Sequence, residues 1–261
     1  MRTVNLHSKE EIEHFLRKNQ ALRVYELGDL DDFFWEDTEW YGLKEDGELQ
    51  QVLLLYCGSD LPVLIGQANG NVAQLSELLE ATRPRLPSRF YSHLSPEVVT
   101  VLQEDYQIEY HGAYYKMSLQ NQALLGKYDK AHLVKLSWQN LEEIEQLYIE
   151  SYPQNGFDPR MLDTGFYYGI WNNNKLVSIG GVHVYSPQYK VAAIGNITTH
   201  PEYRGRGFSL GVCSHICREL LKTVDTIGLN VKADNPAALA AYRKLGFEIA
   251  GEYAEYTLEL K

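Results

Sequence analysis

In the second half of the chain, hydrophobic residues recur alternately at the spacing of a strand and at the spacing of a helix. Leu141, Ile144 and Leu147 fall on one helical face, whereas KVAAIGNITT (190–199) has the pattern of a buried strand. The asparagines at 172–174 tolerate the left-handed backbone of a tight turn between two further strands. The pattern predicts a segment over 133–151 that begins as a strand and continues as a helix, and strands within 165–186 and at 190–199, 227–233 and 252–260. It also predicts helices from about 208 to 223 and over 236–246.

The first half of the chain shows a weaker version of the same series. An Asp46-Gly47 turn between two apolar runs predicts a β-hairpin over 39–58. The other predicted elements are a helix over 9–18, a strand over 62–67, helices over 72–83 and 95–104, and a strand over 113–120. Two similar series predict a duplicated α+β fold with its boundary near 121–130, and hence one domain over 1–125 and another over 126–261.

Length and hydrophobicity are those of a globular protein. With 261 residues and 44% hydrophobic composition, the chain can bury a sizeable core. Its apolar runs stay well short of the roughly 18 residues of a membrane span, and the opening MRTVNLHSKEEIEHFLRKNQ lacks the apolar core of a signal peptide. We expect a cytoplasmic protein that does not associate with membranes.

The charge of the chain is unevenly distributed. The formal net charge is −11; residues 1–126 hold 10 Lys and Arg against 20 Asp and Glu, whereas residues 127–261 hold 14 against 15. This balance argues against nucleic acid as a partner, because phosphate binding requires a basic face. The acidic half suits either a cationic substrate or a well-solvated surface, and an anionic ligand would belong in the second half.

Three cysteines, Cys57, Cys213 and Cys217, are too few for a disulfide framework or a four-thiolate zinc site. Cys213 and Cys217 would share a helix face, but that face is an apolar stripe. We therefore expect them to be small core residues and expect no metal site.

The segment HPEYRGRGFS (200–209) places two arginines and two glycines in alternation between a predicted strand and a predicted helix. Backbone N–H groups at a helix start, together with the helix dipole, favour an anion such as phosphate. Gly205 and Gly207 permit positive φ and a close approach of a ligand, and Arg204 and Arg206 can add charge. The spacing matches neither GxxxxGK(S/T) nor GxGxxG, so alone it fits an anion site or an exposed turn.

A second motif begins 28 residues after Gly207. In NPAALAAYRKLGF (235–247), Asn235 before Pro236 is typical of an N-cap and first helical residue. In order, spacing and context, HPEYRGRGFS followed by N-x-x-A-x-x-x-Y-x-x-x-G-F resembles the two signature motifs of the GNAT acyltransferase superfamily, whose members move an acetyl group from acetyl-CoA to an amine. The resemblance covers about 131–261.

The resemblance implies a fold and a cofactor site. The fold would be a mixed, mostly antiparallel twisted sheet flanked by helices, in which the strands at 190–199 and 227–233 splay apart around the pantetheine of CoA. Main-chain groups in the gap would also polarise the thioester carbonyl, and Tyr242 would lie near the thioester sulfur as general acid. The residues implied to bind the cofactor are Ile197, Thr198, Thr199, Arg204, Gly205, Arg206, Gly207, Phe208, Ser209, Leu210, Asn235 and Tyr242.

Two residues depart from the family pattern. Ser209 stands where Gly or Ala is preferred, and its side chain is small enough to fit. Asn230 lies on the strand where some members carry a glutamate base, and an amide does not usefully take up a proton. His183 in GGVHVYS is one candidate for the base, and an ordered water chain is the alternative. His200, beside the loop, is expected to be structural.

Residues 1–125 resemble the family only in the order of their elements. Where the phosphate loop should fall they carry QANGNVAQL (67–75), which has no arginine, and no Tyr-x-x-x-Gly-Phe set follows. We interpret this half as a degenerate, non-catalytic GNAT-like domain of the kind found in tandem-domain relatives. An unrelated α+β domain is the alternative.

Together these features predict an N-acetyltransferase that moves an acetyl group from acetyl-CoA to a primary amine of a small molecule or peptide by direct transfer. The alternatives are a non-catalytic acyl-CoA-binding sensor or interaction module, and an acyltransferase for a longer acyl-CoA. The sequence leaves the acceptor open, and it leaves both a monomer and a homodimer open.

Overall fold

The structure of the protein, a computed structural model, describes residues 1–68, 70–128 and 133–261. Asn69, inside the QANGNVAQL segment, and residues 129–132, at the predicted domain boundary and at the start of the predicted resemblance, lie outside the described residues. The strands are β1 (Arg2–Leu6), β2 (Thr38–Glu45), β3 (Glu48–Tyr56), β4 (Val63–Gly66), β5 (Arg89–Leu94), β6 (Tyr106–Leu119), β7 (Leu133–Lys135), β8 (Tyr168–Asn172), β9 (Lys175–Ser186), β10 (Val191–Thr199), β11 (Thr226–Lys232) and β12 (Phe247–Leu260). The α-helices are α1 (Lys9–Arg17), α2 (Val24–Gly28), α3 (Asp32–Trp35), α4 (Val72–Thr82), α5 (Leu141–Ser151), α6 (Phe208–Leu220) and α7 (Pro236–Lys244).

The chain divides into two compact units. The first unit consists of Met1–Lys116, Val231–Asp234 and Ala250–Lys261, and the second of Met117–Asn230 and Asn235–Ile249. This division differs from the predicted boundary after residue 125 chiefly at the end of the chain. The last strand belongs to the first unit because β12 pairs antiparallel with β5, from Ala254 opposite Leu94 to Glu259 opposite Arg89.

In the first unit the strand order is β1-β2-β3-β4-β5-β12-β6. Its core lies between the sheet and α4, where Leu75 and Leu79 of the helix pack with Leu53, Phe90 and Leu94 of the strands. The predicted β2–β3 hairpin is confirmed, with its Asp46-Gly47 turn in the left-handed region.

In the second unit the strand order is β11-β10-β9-β8-β7. The β10–β11 pair is parallel and the pairs among β7 to β10 are antiparallel. Ile144 and Leu147 of α5 pack with Ile179 of β9 in one core cluster. Cys213 and Cys217 of α6 are buried, which confirms them as core residues.

The elements that position the candidate site follow the predicted pattern. The turn between β8 and β9 has left-handed backbone at Asn173 and Asn174, and α7 begins at Pro236 as expected.

The predicted helix over 95–104 is instead a 3-10 helix, Pro96–Leu102, and the sequence pattern does not predict β1, α2, α3 or β5. Among the described residues, no helix combines the length and the apolar character needed to cross a membrane.

Candidate active site

The predicted gap between two parallel strands lies in the second unit. Among the described residues, β10 and β11 pair in parallel only over Val191–Ala193 and Thr226–Gly228. β10 continues to Thr199, and β11 continues through Asn230. Both strands therefore extend beyond their shared ladder, which is the arrangement that a pantetheine site between them would need.

β10 carries a β-bulge just past the end of this ladder. Gly195 pairs with Gly181 of β9 and Thr198 pairs with Ile179, so two residues of β10 stand opposite one residue of β9. One of the two, Asn196, has a φ of +51°, which is uncommon for a residue other than glycine. A bulge turns backbone groups out of the regular ladder and re-aims their neighbours. Here it does so where β10 has left its pairing with β11.

Beyond the bulge, the predicted cofactor-binding residues Thr198 and Thr199 alternate in direction, whereas the predicted residue Ile197 is the second residue of the bulge itself. His200 N donates to a carbonyl of β9 at 2.9 Å, and Thr198 O accepts from Ser178 Oγ of β9 at 3.1 Å. Successive residues of a strand direct their backbone groups to opposite edges. Thr199 therefore faces the edge away from β9, where the gap lies, and Thr198 does not. Ile197 stands within the bulge, where this alternation is interrupted.

The loop after β10 leads into α6 and gathers several N–H groups. Gly205 and Gly207 both have a φ of +75°, a conformation that costs other residues roughly 1 kcal/mol or more. Gly207 is the N-cap of α6, and its carbonyl accepts the first intrahelical bond at 3.1 Å. The amides of Phe208, Ser209 and Leu210 precede that bond and have no intrahelical acceptor. Left-handed turns followed by a helix start favour a bound anion.

The two arginines of this loop contact the protein main chain. Arg204 Nε donates to Thr199 O at 3.0 Å, and its Nη2 lies 3.4 Å from Ser151 O. The Arg206 guanidinium lies 5.0 Å from the ring centroid of Tyr203. Both side chains are exposed; they brace the loop and add positive charge to it. The groups of the loop that could bind an anion directly are its amides.

Helix α7 carries two further predicted residues. Asn235 Oδ1 accepts from Ala238 N at 3.0 Å, which confirms the N-cap. A contact from this side chain to a cofactor would use its Nδ2 group or the second lone pair of Oδ1. Tyr242 lies in the second turn of the helix, half-buried, with its ring centroid 6.1 Å from that of Phe247.

Asn230 of β11 gives an independent sign of a ligand. Its Oδ1 is buried and has no hydrogen-bond partner within the part of the chain that the structure describes. It stands two residues beyond the end of the β10–β11 ladder. Buried polar atoms are normally paired, so this oxygen fits a bound group that offers an N–H or O–H donor. Pantetheine carries amide N–H groups, and the residues present therefore fit acetyl-CoA.

His183 lies on β9, beside the bulged segment of β10. The imidazole occupies the space over Gly195 and extends toward Gly156, where an added Cβ would lie 3.4 Å from Cε1. The side chain is half-buried. This location, next to the bulge at Asn196, is compatible with the predicted role of a base.

His200 is structural, as expected. Its Nδ1 accepts from Glu202 N at 3.3 Å, which caps the short turn before the glycine loop. Its Nε2 lies 3.0 Å from Glu150 Oε2. The hydrogen bond from Lys175 to the same carboxylate lowers the pKa of Glu150 to about 2.

Sequence reasoning does not single out Asn196, although its side chain and carbonyl bond to residues from three other segments. The available signal is the Gly195-Asn196 pair inside a strand pattern, because an isolated glycine in a strand suggests a bulge. The contacts that hold the bulge come from residues far away in the sequence, and no local pattern indicates them.

Comparison with protein families matches residues 132–247 to the Acetyltransferase (GNAT) family. The ribosomal protein bS18-alanine N-acetyltransferase of Escherichia coli (strain K12) is 40% identical over 60 residues, which are 23% of this chain and 40% of that protein. The matched segment thus spans well under half the length of this curated relative.

Solved structures resemble the chain over nearly its full length. An acetyltransferase from the GNAT family from Colwellia psychrerythraea has a TM-score of 0.57 at 12% identity, with 100% of each chain covered. A tandem GNAT protein from the clavulanic acid biosynthesis pathway has a TM-score of 0.55 at 12% identity, covering 98% of this chain and 97% of that chain. At these identities the likeness shows the fold alone, and the predicted α+β fold is confirmed.

Proposed function

Because residues 132–247 match the Acetyltransferase (GNAT) family, we propose that the chain transfers an acetyl group from acetyl-CoA to a primary amine. One observation carries the proposal: in the second unit, the β10–β11 ladder ends early, and a bulge and a glycine loop that opens α6 follow on the same strand. The first two features would accommodate the pantetheine arm, and the loop would bind the pyrophosphate.

Acetyl-CoA, when bound, supplies the acetyl group as a thioester, so that a C–N bond forms at the amine while the C–S bond breaks. The chain's part begins with binding. The amides of Phe208, Ser209 and Leu210 would hold the pyrophosphate at the positive end of the α6 dipole. Ile197 and Thr199 would present backbone groups to the pantetheine arm, and Asn230 Oδ1 would accept one of its N–H groups.

Two protons must move during the transfer. The His183 imidazole would accept the proton that the amine nitrogen loses, and the Tyr242 hydroxyl would donate a proton to the departing sulfur. Main-chain N–H groups beyond the bulge would stabilise negative charge on the carbonyl oxygen. In this assignment the side chains move protons, and the backbone supplies the electrostatic stabilisation.

The first acceptor class to test is a peptide α-amine. The bS18-alanine N-acetyltransferase, as its name states, acts on an alanine of a ribosomal protein, and this supports a peptide α-amine as the first acceptor to test. A small-molecule amine is the second. A non-catalytic acyl-CoA-binding module is the alternative function, and it is favoured by Asn230, an amide on the strand where some relatives carry a carboxylate.

The test is release of free CoA from acetyl-CoA by the purified full chain across a panel of amines. The panel contains peptides that begin with Ala, Ser or Gly, matched peptides with blocked N-termini, and small primary amines. We expect calorimetric binding of acetyl-CoA and turnover with at least one unblocked amine. Binding without turnover would favour the sensor, and faster turnover with hexanoyl-CoA would assign a longer acyl group. Absence of binding would contradict both functions.

A further inference from the structure

On the basis of the proposed function, we propose that Asn196 is a positioning residue for acetyl transfer. Tyr148, Gly156 and Tyr167 hold it in a buried hydrogen-bonded clamp. The clamp fixes the β10 bulge, and with it the backbone of Ile197 at the edge of the gap.

The clamp uses the backbone and the side chain of one residue. Asn196 is 5% exposed. Its main-chain oxygen accepts from Tyr148 Oη at 2.8 Å, its Oδ1 accepts from Gly156 N at 3.2 Å, and its Nδ2 donates to Tyr167 Oη at 3.0 Å. A backbone N–H can only donate, so Oδ1 must face Gly156, and this fixes the orientation of the amide.

The three partners come from three separate segments. Tyr148 lies on α5, Gly156 on the loop that follows α5, and Tyr167 directly before β8. They are 48, 40 and 29 residues away from Asn196 in sequence. Anchors that approach from several directions fix a position more firmly than the bonds of one neighbouring strand can.

The backbone of Asn196 explains why such anchors are needed. Its φ of +51° is accessible to asparagine but is uncommon for residues other than glycine. Residues in sparsely populated backbone regions persist where the surrounding structure over-determines them, and they concentrate at functional sites. The clamp is that surrounding structure, and it acts where β10 leaves its regular ladder.

The two tyrosine hydroxyls have opposite roles in the clamp: Tyr148 Oη donates to Asn196 O, and Tyr167 Oη accepts from Asn196 Nδ2. Tyr148 and Tyr167 are 3% and 0% exposed, and burial raises the pKa of both phenols above the ordinary range. Phe157 lies between their rings, with centroids at 5.3 Å and 5.4 Å. A change of either tyrosine to phenylalanine would therefore keep the ring packing and remove only the hydroxyl.

The expected contribution is to rate rather than to binding. Ile197 follows the clamped residue directly as the second residue of the bulge, and it leads into the part of β10 that borders the gap. A misplacement of about 1 Å in groups that orient a reaction can cost on the order of 10²-fold in rate. The amides at the start of α6 are a separate set of contacts, so the affinity for the pyrophosphate end should survive.

Four variants separate the clamp from the backbone strain. Asn196→Gly relieves the strain and removes both side-chain bonds, whereas Asn196→Ala removes the bonds and keeps the strain. Tyr148→Phe and Tyr167→Phe each remove one hydroxyl. We expect kcat to fall about 10²-fold in both Asn196 variants and about tenfold in each tyrosine variant. The Kd of acetyl-CoA should change less than about threefold in all four, because the loop amides remain in place.

Matched controls are available in the same unit. Asn174 has a φ of +62° in the exposed turn between β8 and β9, so Asn174→Gly and Asn174→Ala repeat the backbone changes away from the clamp. Tyr185→Phe removes a half-buried hydroxyl whose Oη lies 3.1 Å from Thr223 Oγ1. All three controls should keep the kcat of the unmodified protein.

Hydrogen–deuterium exchange provides a readout that does not depend on turnover. In Asn196→Gly and Tyr148→Phe, amides over 194–199 should exchange faster than in the unmodified protein. Amides over 191–193 should keep their exchange rate, because that part of β10 is paired with both β9 and β11.

The outcomes distinguish the positioning role of Asn196, the clamp itself and the proposed function. Unmodified kcat in Asn196→Gly and in both tyrosine variants would overturn the positioning role, and unmodified exchange over 194–199 would overturn the clamp itself. An unmodified protein that binds acetyl-CoA but turns over no amine would contradict the proposed function and the positioning role, while faster exchange in the variants would still support the clamp. If Asn196→Ala does not fold, the tyrosine variants decide.

Discussion

The imidazole of His183 lies against the backbone of Gly195. A Cβ atom placed on Gly195 would overlap Cδ2 and Nε2 of the ring and would lie 3.1 Å from Cγ. Gly195 does not have a positive φ, so its backbone conformation is open to other residues. Glycine is therefore required at this position by the space that His183 occupies, and the pair joins the candidate base to the strand that carries the bulge.

The first prediction uses this contact. Gly195→Ala should displace the imidazole and lower kcat by about 10²-fold, the lower end of what a positioned base contributes, with acetyl-CoA still bound. It should also cost roughly 1–3 kcal/mol of stability through overpacking. In a His183→Ala background the same change should cost little stability, because the ring is gone. Thermal melts and steady-state rates of the four proteins in this cycle measure both effects.

Two results would contradict this account. Equal destabilisation by Gly195→Ala with and without His183 would mean that the ring is not what excludes a side chain at 195. An unchanged rate in His183→Ala would show that the imidazole is not the base. The proton that the amine loses would then be accepted by an ordered water chain.

The second prediction concerns Tyr242. Tyr242→Phe keeps the ring and its contact with Phe247 but removes the proton donor. We expect kcat to fall by about 10²-fold with the affinity for acetyl-CoA nearly unchanged. If the hydroxyl only satisfies a local hydrogen bond, stability should drop by about 1 kcal/mol while turnover hardly moves. Tyr185→Phe is the matched control, and rates and melts on both variants distinguish the two roles.

The third prediction concerns the glycine loop. Gly207→Glu would place a negative charge at the N-cap of α6, where the pyrophosphate should lie, and should abolish acetyl-CoA binding. Gly47→Glu is the control. Gly47 has a φ of +89°, and a Cβ atom added there would meet no other atom within 4 Å. This variant therefore introduces a similar backbone strain in the first unit, away from the glycine loop. Calorimetry on both folded variants measures the affinity for acetyl-CoA. Retained affinity in Gly207→Glu would show that the pyrophosphate does not bind at this loop.

Much of the second unit could be predicted because its local patterns agree with its packing. Apolar residues at helical spacing on α5 are the ones that become buried, and the asparagines before β9 adopt the left-handed turn. The glycine loop and the start of α7 could also be predicted, because helix caps and left-handed backbone positions depend on a few adjacent residues.

Other features could not be predicted because they depend on distant contacts. β5 was not recognised, since Ser92 occupies an inward position between Phe90 and Leu94 and is fully buried. The pairing of β12 with β5 joins segments more than 150 residues apart. The clamp on Asn196 likewise depends on partners that are close only after folding. Patterns with a period of two or 3.6 residues carry no such information.

The fourth prediction is one acetyl-CoA per chain. In the first unit, β4 and β5 pair in parallel up to Gly66 and Leu94 at their very ends. Hydrogen bonding continues past the ladder, with Ser95 N donating to Gly66 O at 3.0 Å and Ala68 N donating to the side-chain Oγ of Ser95 at 2.9 Å. Gln67 Nε2 also donates to His93 O at 3.0 Å. These strands stay joined where β10 and β11 separate.

Saturating calorimetric titration should therefore give a stoichiometry of one. Gly207→Glu should reduce it to zero, because the site lies in the second unit. A stoichiometry of two in the unmodified protein, or a residual site in Gly207→Glu, would assign a cofactor site to the first unit and would contradict our interpretation of that unit as degenerate.

The last prediction concerns a buried charge network in the first unit. Glu26 accepts from Arg23 at 2.9 Å and from Lys116 at 3.1 Å, and all three side chains are almost fully buried. Asp29 lies one helical turn after Glu26. Burial, reinforced by the negative charge of Glu26, raises the pKa of the Asp29 carboxyl to about 8. The folded chain therefore holds a proton on Asp29 that the unfolded chain releases near its ordinary pKa of about 3.9.

Linkage fixes the sign of the resulting pH dependence. Between about pH 4 and pH 8 the folded state binds more protons at Asp29 than the unfolded state, so this residue's contribution to stability falls as the pH rises. Asp29→Asn removes that contribution, and its Tm relative to the unmodified protein should become steadily more favourable from pH 5 to pH 8. Burial lowers the pKa of His93 to about 4, which acts in the opposite direction, but it is present in both proteins and cancels in the difference. Asp60→Asn, at an exposed carboxyl of the same unit, is the control. A Tm difference for Asp29→Asn that is flat or falls with pH would show that Asp29 is already ionised in the folded chain.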